Sequence, residues 1–271
     1  GVTNMVLDAL LVAVFSLGLV GAAAATALSQ CVGGLVPLVY FGCKNSSALR
    51  LTRTEFDGRA LLRTCTNGIS ELLSNISMSI VGILFNMQLI KYSGENGVAA
   101  YGVLMYVNFI FLAIFIGYSV GTAPLIGYNY GSGNHEELKN LLKRSLWIIG
   151  ITSVAMVVGA KLLARPLAAM YVGYDIELFE LTLRGFTIYS LSFLFSGMAI
   201  FGSSFFTALN NGLISALISF LRTIVFEVSG VLLIPIILGI DGIWISIVVA
   251  NGLAAFVTVL FLLAKRKQYR Y

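Results

Sequence analysis

Residues 66–85 read TNGISELLSNISMSIVGILF, an apolar stretch with one acidic residue, Glu71. The stretch is long enough to enter the core of a bilayer, which a helix crosses in about 20 residues. A charged side chain at the centre of a membrane costs about 2.5 kcal/mol or more. Either the predicted membrane helix therefore begins later than it seems, or Glu71 faces something other than lipid.

Composition predicts that the whole chain is an integral membrane protein. Its 271 residues are 58% hydrophobic and only 11% charged, whereas about a quarter of the residues of a soluble domain are charged. The mean hydropathy is +0.94. The sequence lacks the alternating segments of about ten residues that mark a spanning β-barrel, so the predicted spans are helices.

Apolar runs separated by turns rich in Gly and Asn predict eight transmembrane helices. They cover approximately residues 2–16, 21–41, 62–91, 98–126, 141–164, 180–208, 213–238 and 242–264. Asn134 and Glu137 have the spacing of a helix N-cap and its N3 residue, which predicts that a helix begins after Asn134. The predicted fold class is therefore an all-α integral membrane protein.

Basic residues are distributed unevenly between the two sides of the predicted membrane. Twelve Lys and Arg residues lie on the side of the C-terminus, four lie on the opposite side, and Arg222 lies within the predicted seventh helix. Because short loops rich in Lys and Arg stay in the cytoplasm, we predict a multi-pass protein of the cell membrane with a cytoplasmic C-terminus. These loops account for the net charge of +5, which therefore indicates no nucleic-acid partner.

Residues suited to catalysis or metal binding are scarce. The chain has one histidine, His135, and its three cysteines, Cys31, Cys43 and Cys65, lack metal-ligand spacing. Their odd number also argues against a disulfide framework. Because no nucleophile–base pair, metal cluster or cofactor motif is evident, we predict that the protein is not an enzyme and needs no cofactor.

An offset of 221 residues aligns the first two predicted helices with the last two. Residues 17–21, LGLVG, match residues 238–242, LGIDG, and Lys44 then aligns with Lys265. Repeats of this parallel kind occur in transporters, and chance similarity between apolar helices is the alternative. On the repeat reading, residues 1–57 form the last two helices of an N-terminal lobe with an inter-lobe cytoplasmic loop, and residues 58–271 form a complete six-helix C-terminal lobe. The native protein would then be longer by about 150 residues.

Polar residues recur at three- and four-residue steps along the stretch quoted above. This stripe consists of Thr64, Asn67, Glu71, Ser74, Asn75, Met78, Gly82 and Asn86. A polar stripe lines a cavity or forms a hydrogen-bonded seam between helices. We favour the cavity, which makes Glu71, Asn67 and Asn75 candidates for binding an ion or a substrate.

Other polar residues within the predicted helices are further candidates. Asp8 is a second acidic site if its helix extends into the bilayer, and is interfacial if the helix begins near Gly1. Asn108 and Tyr189 lie among aromatic and Met residues that suit flat, apolar or cationic molecules, although core packing explains them equally well.

Arg222 and Glu227 are possible buried charge partners, but they are five residues apart on one predicted helix. In an α-helix they would point about 140° from each other. Each is therefore predicted to find a partner on another helix or to reach water.

Residues 124–134, PLIGYNYGSGN, resemble a segment of the multidrug and toxic compound extrusion (MATE) family. In that family a proline near the end of the eighth helix precedes a similar GYNYG sequence. Residues 4–8 and 18–26 resemble the family's fifth and sixth helices. The resemblance implies that the chain supplies helices five to twelve of a twelve-helix transporter, whose two bundles surround a central cavity. The missing helices of the N-terminal lobe would then be partners of this chain.

The function implied by this resemblance is antiport, in which Na⁺ or H⁺ enters as small cationic or amphipathic molecules leave. Acidic residues matching Asp8 and Glu71 are functional in family members, and Glu71 is a possible Na⁺ site. The body of the sixth predicted helix contains no acid, unlike some Na⁺-linked members, so the coupling ion stays open. The predicted partners are these small molecules and membrane lipid. The alternatives are a flippase of related architecture for lipid-linked precursors and a non-transporting membrane scaffold or receptor.

Overall fold

The computed structural model describes residues 1–43 and 56–271, apart from the side chains of Asn67, Ser70, Glu71, Leu73 and Ser74. The described part is helical and contains no strand, which agrees with the predicted all-α class. Its elements are α1 (Val2–Asp8), a π-helix (Ala9–Val14), α2 (Gly18–Gly42), α3 (Gly58–Gly131), α4 (His135–Val172), α5 (Ile176–Tyr189), a 3₁₀ turn (Ser190–Ser192), α6 (Phe193–Ala208), α7 (Gly212–Phe220), a second π-helix (Leu221–Glu227) and α8 (Val228–Tyr269).

The chain divides into two compact units, Gly1–Asp57 and Gly58–Tyr271. In the first unit, α1 and its π-helical continuation pack against α2. Gly21 makes this hairpin close, because a Cβ at that position would lie 2.8 Å from the carbonyl oxygen of Leu11. The second unit contains α3 to α8.

Five stretches of the described residues are long and apolar enough to cross a membrane. They are Gly18–Gly42, Asn75–Gly131, His135–Val172, Ile176–Ala208 and Gly212–Tyr269. A shorter apolar helix covers Val2–Val14. Apolar side chains such as Leu162 and Ile237 lie exposed on the outer surfaces of these helices. The helices therefore present the surface expected of a multi-pass membrane protein.

Two of the five stretches are interrupted by a turn. They contain 57 and 58 residues, which is far more than the roughly 20 that one crossing requires. The helical backbone breaks at Gly94 (φ 62°) in α3 and at Gly239 (φ 60°) in α8. Glycine adopts a positive φ without the steric cost that a Cβ would impose. Helices α3 and α8 thus each consist of two segments that meet at a predicted turn.

Side-chain caps place the starts of several helices earlier than the apolar pattern predicted. Asn134 Oδ1 accepts a hydrogen bond from the Glu137 N–H at 3.1 Å, which confirms the predicted cap. Helix α4 therefore begins at His135, six residues before the predicted apolar span. Asp175 Oδ1 likewise accepts hydrogen bonds from the N–H groups of Glu177 and Leu178 and begins α5. These polar first turns lie outside the apolar runs, so hydropathy alone misses them.

The core of the second unit lies where α3, α6, α7 and α8 pack together. Its largest fully buried side chains are Trp244, Phe85, Phe193, Phe201, Phe205 and Phe206. Helix α6 contributes four of these six aromatic rings. Its residues Ser196, Ser203 and Ser204 border a cavity.

Candidate functional site

The second unit contains a cavity of about 410 Å³, bounded by both segments of α3, the end of α5, α6, α7, the Leu221–Glu227 π-helix and α8. Small-molecule sites typically have volumes of about 300–1,000 Å³. The polar lining residues are Asn75, Asn108, Ser119, Ser192, Ser196, Ser203, Ser204, Ser219, Thr223 and Asn251. Among the lining residues that the structure describes, Arg222 and Glu227 are charged. The cavity thus combines apolar walls with a limited set of polar groups, as ligand sites do.

Three of the predicted site residues meet at this cavity. Asn75 lies on the first segment of α3, Asn108 on the second segment and Tyr189 at the end of α5, and all three line it. The side chains of Asn67 and Glu71 lie outside the described residues, although their backbone belongs to α3. A role for these two residues stays a prediction.

The polar stripe of α3 borders the cavity over part of its length. Met78 and Gly82 line the cavity together with Asn75. Thr64 is exposed and donates a hydrogen bond to the carbonyl of Ala60 at 3.0 Å. Asn86 donates to the carbonyl of Gly82 at 2.9 Å. The outer members of the stripe therefore bond within their own helix, whereas residues 75–82 border the cavity.

Asp8 belongs to the first unit. It is the last residue of α1 and is partly buried there, directly before the Ala9–Val14 π-helix. Its predicted role as a second acidic site stays a prediction.

Arg222 and Glu227 lie at the same wall of the cavity, which corrects the angle expected from the sequence. The prediction of about 140° assumed a regular α-helix. Residues 221–227 instead form a π-helix, in which the carbonyl of residue i accepts from the N–H of residue i+5. Residues five apart then lie one turn apart on the same side. Both side chains consequently line the cavity.

Aromatic contacts hold two tyrosines at the cavity edge. The ring of Tyr101 stacks on Phe85, with a centroid distance of 5.2 Å and an interplanar angle of 7°. Tyr189 meets Phe193 edge to face, with their centroids 6.0 Å apart. These contacts fix the positions of Tyr101 and Tyr189, which both line the cavity.

The hydroxyl groups around the cavity fall into two classes. Ser203 Oγ lies 2.9 Å from Ser215 Oγ and 3.1 Å from Ser219 Oγ, and Ser215 Oγ lies 2.6 Å from Thr207 Oγ1. This serine network joins α6 to α7. By contrast, Ser119 Oγ is buried and has no hydrogen-bond partner among the described residues. Because buried polar groups are normally paired, an unpartnered group at a cavity is a candidate contact for a ligand.

The sequence analysis missed a second polar stripe. Ser215, Ser219 and Thr223 follow one another at four-residue steps, and Ser219 and Thr223 line the cavity. The three- and four-residue spacing that identified the α3 stripe also identifies this one. Asn251 on α8 belongs to no such stripe, because no polar residue lies three or four positions before or after it.

Two curated relatives are similar to nearly the whole chain. The multidrug export protein MepA of Staphylococcus aureus is 26% identical over 271 residues, which cover 95% of this chain and 56% of the relative. The multidrug export protein MepA of Staphylococcus saprophyticus is 28% identical over 272 residues, which cover 96% of this chain and 57% of the relative. The chain therefore spans slightly more than half the length of these relatives.

Solved structures of transporters are similar in fold to nearly the whole chain. A crystal structure of MATE in complex with MaL6 superposes with a TM-score of 0.91 at 25% identity, covering 99% of this chain and 61% of that chain. A MOP superfamily transporter from Pyrococcus furiosus, described as having a binding pocket of reverse polarity that suggests a different function, gives a TM-score of 0.90 at 25% identity. It covers 99% of this chain and 61% of its own.

These likenesses support a transporter and not an enzyme, and they favour neither the lipid-precursor flippase nor the scaffold or receptor. The MatE family model matches residues 72–233, which include most of the cavity wall. The chain therefore belongs to the MatE family.

Proposed function

We propose that this chain forms part of a multidrug exporter and that the cavity of its second unit receives the exported molecule. The observation that carries the proposal is a 410 Å³ cavity, lined by charged and polar groups, in a chain of the MatE family. Charged residues within membrane segments are costly, and they normally face a bundle interior or water where they serve transport. The two multidrug export relatives support the same activity.

The proposed arrangement places eight spans in the cell membrane, with the C-terminus in the cytoplasm. Counting the segments on either side of Gly94 and Gly239 separately supports this number. Gly18 (φ 54°) and Gly239 (φ 60°) are related by the 221-residue offset and both adopt a positive φ, which supports the parallel repeat. In this arrangement residues 1–57 end an N-terminal lobe, and residues 58–271 form the C-terminal lobe.

Coupling to Na⁺ or H⁺ is proposed to use the carboxylate of Glu71, with Asp8 as a second acidic site. One carboxylate can hold a proton, a sodium ion or a cationic substrate, but not all three at once. Binding of one therefore displaces another, and this competition is sufficient for exchange across the membrane. No resident cofactor is needed for it.

The proposed substrates are small cationic or amphipathic molecules. Tyr101 and Tyr189 offer aromatic rings to a flat or cationic group, and Met78 and Met105 supply adaptable apolar contacts at the same cavity. Such a lining accepts different shapes more readily than a set of fixed hydrogen bonds does.

The experiment compares Glu71→Gln with Glu136→Gln in the full gene product that contains this chain. Glu136 is an exposed residue of the first turn of α4, so its substitution is a matched control for loss of one carboxylate. Export of a lipophilic cation, tetraphenylphosphonium, is measured in proteoliposomes under an imposed Na⁺ or proton gradient. We expect Glu71→Gln to abolish gradient-driven export while Glu136→Gln retains it. Unchanged export and unchanged ion dependence in Glu71→Gln would contradict the proposed role.

A further inference from the structure

Arg222 and Glu227 share one wall of the cavity without closing into an ion pair. Both side chains line the cavity, yet no nitrogen–oxygen pair of the two lies within 4.0 Å. The ion pair between Arg184 and Asp241 lies outside the cavity lining. The gap between Arg222 and Glu227 leaves both charges available to a third group.

Arg222 forms no hydrogen bond with the described residues, and its Nε atom is buried there. Thr223, its neighbour on the π-helix, donates instead to the Ser219 carbonyl at 2.7 Å, and the Ser219 hydroxyl is engaged with Ser203. A buried donor without an acceptor costs free energy that a bound anion restores. A carboxylate suits it best, because the two groups can form paired hydrogen bonds.

The surroundings of Glu227 suit a group of the opposite charge. Tyr101 and Tyr189 line the same cavity as Glu227. Ionised carboxylates only accept hydrogen bonds, and an ammonium group only donates them. Aromatic rings beside the carboxylate add cation–π attraction. This end of the wall therefore has the chemistry of an ammonium site.

We propose that the cavity selects zwitterionic amphipathic solutes, binding their carboxylate at Arg222 and their ammonium group at Glu227. The inference rests on the proposed export function and specifies its substrate class. A molecule with both charges pairs with both side chains at once, whereas a simple cation leaves the guanidinium unpaired. The π-helix is essential to this arrangement, because a regular α-helix would turn the two side chains away from each other.

The test uses three fluorescent probes that share one scaffold. Nε-dansyl-lysine carries both charges, its carboxamide carries only the ammonium group, and its Nα-acetyl derivative carries only the carboxylate. Binding to the purified full gene product is followed by dansyl fluorescence, and export is followed in proteoliposomes. The wild-type protein should bind the zwitterion roughly tenfold or more tightly than either single-charge probe, since a hydrogen bond to a charged group contributes about 1.5–3 kcal/mol.

The variants assign each charge to its residue. Arg222→Gln should bring the affinity ratio of zwitterion to carboxamide to about one, because a neutral amide cannot replace the charge-assisted pair. Glu227→Gln should do the same for the ratio of zwitterion to acetyl derivative. Arg184→Gln and Glu180→Gln make the same chemical changes outside the cavity lining and should keep the wild-type ratios.

Two results separate the inference from the proposed function. A wild-type protein that exports the carboxamide but does not prefer the zwitterion overturns the inference and leaves the export function standing. An Arg222→Gln variant that keeps the wild-type ratio also overturns it, because the guanidinium would then contribute nothing to binding the carboxylate. A wild-type protein that exports none of the probes and no tetraphenylphosphonium overturns the proposed function, and the inference with it. The wild-type preference needs no variant, so it decides the matter even if a substitution prevents folding.

Discussion

Helix α6 uses small side chains in two opposite ways. Ser196, Ser203 and Ser204 border the cavity. Gly197 and Gly202 instead allow neighbouring helices to approach closely. A Cβ at Gly197 would lie 2.5 Å from the ring of Phe115, and one at Gly202 would collide with the Thr258 methyl group.

The difference teaches what a small residue does in this bundle. At the two glycines an atom of another helix takes the place of the absent side chain, so the space is filled. At the three serines the space stays open as part of the cavity. The small size of a residue therefore does not by itself tell whether the residue packs against a helix or borders the cavity, because α6 uses small residues for both.

The largest expected effect comes from adding a methyl group to α6 where a neighbouring helix leaves no room for it. Gly197→Ala should destabilise the protein by about 1–3 kcal/mol, because the added methyl group overlaps the buried Phe115 ring and Ile149. The matched control is Gly150→Ala in α4, where an added Cβ meets nothing within 4 Å. It should be neutral or stabilising by up to about 1 kcal/mol, since alanine favours helices over glycine.

Thermal unfolding of the full gene product in detergent measures both glycine variants. A Gly197→Ala variant as stable as Gly150→Ala would remove the distinction between packing glycines and cavity serines on α6.

A smaller effect tests the partnered and unpartnered hydroxyl groups. Ser215→Ala should destabilise by about 1 kcal/mol, because it removes hydrogen bonds to Ser203 and Thr207. Ser119→Ala removes a buried hydroxyl that has no partner among the described residues, so its unfolding free energy should stay within about 0.5 kcal/mol of wild type. Chemical unfolding monitored by fluorescence gives the difference. Equal losses in the two variants would show that Ser119 is also bonded in the folded protein.

The smallest effect concerns a charge pair outside the cavity. Arg184 bonds Asp241 across α5 and α8, and the Arg184 side chain is 64% exposed. Arg184→Gln should cost less than about 1 kcal/mol, because solvent screens an exposed pair. The cost should also fall when unfolding is measured in high salt. A large loss that persists in salt would mean that Arg184 has a buried structural role.

Much of this fold follows from local rules that act within a few residues. The Gly94 and Gly239 turns follow from the glycine requirement at a positive φ, and Asn134 follows from the chemistry of a helix cap. The helix ends are less predictable from hydropathy. Polar first turns and basic last turns continue a helix beyond its apolar run, and α8 therefore extends to Tyr269 instead of ending near residue 264.

The site was only partly predictable, because it depends on how distant segments pack. Spacing along α3 indicated both Asn75 and Thr64, of which Asn75 lines the cavity and Thr64 does not. The orientation of Arg222 and Glu227 depends on a π-helix, for which the sequence offers no recognised signature. The Glu71 side chain, on which the sequence argument centred, lies outside the described residues, so its role rests on the proposed experiment.

The central claim is that the cavity receives the exported molecule. Its most direct test is to fill the cavity with a larger side chain at a glycine that lines it. Gly82 lines the cavity, and an added Cβ there meets nothing within 4 Å. A side chain added at position 82 therefore starts in open space at the wall of the cavity. Gly150→Phe is the control, since it adds the same side chain at an exposed position of α4.

The decisive measurement is tetraphenylphosphonium export by the full gene product carrying Gly82→Ala, Gly82→Leu or Gly82→Phe. If the cavity receives the exported molecule, export falls with side-chain size and is lost in Gly82→Phe, while the melting temperature stays near that of Gly150→Phe. Wild-type export by a folded Gly82→Phe protein would contradict the account, because the transported molecule would then bypass the cavity.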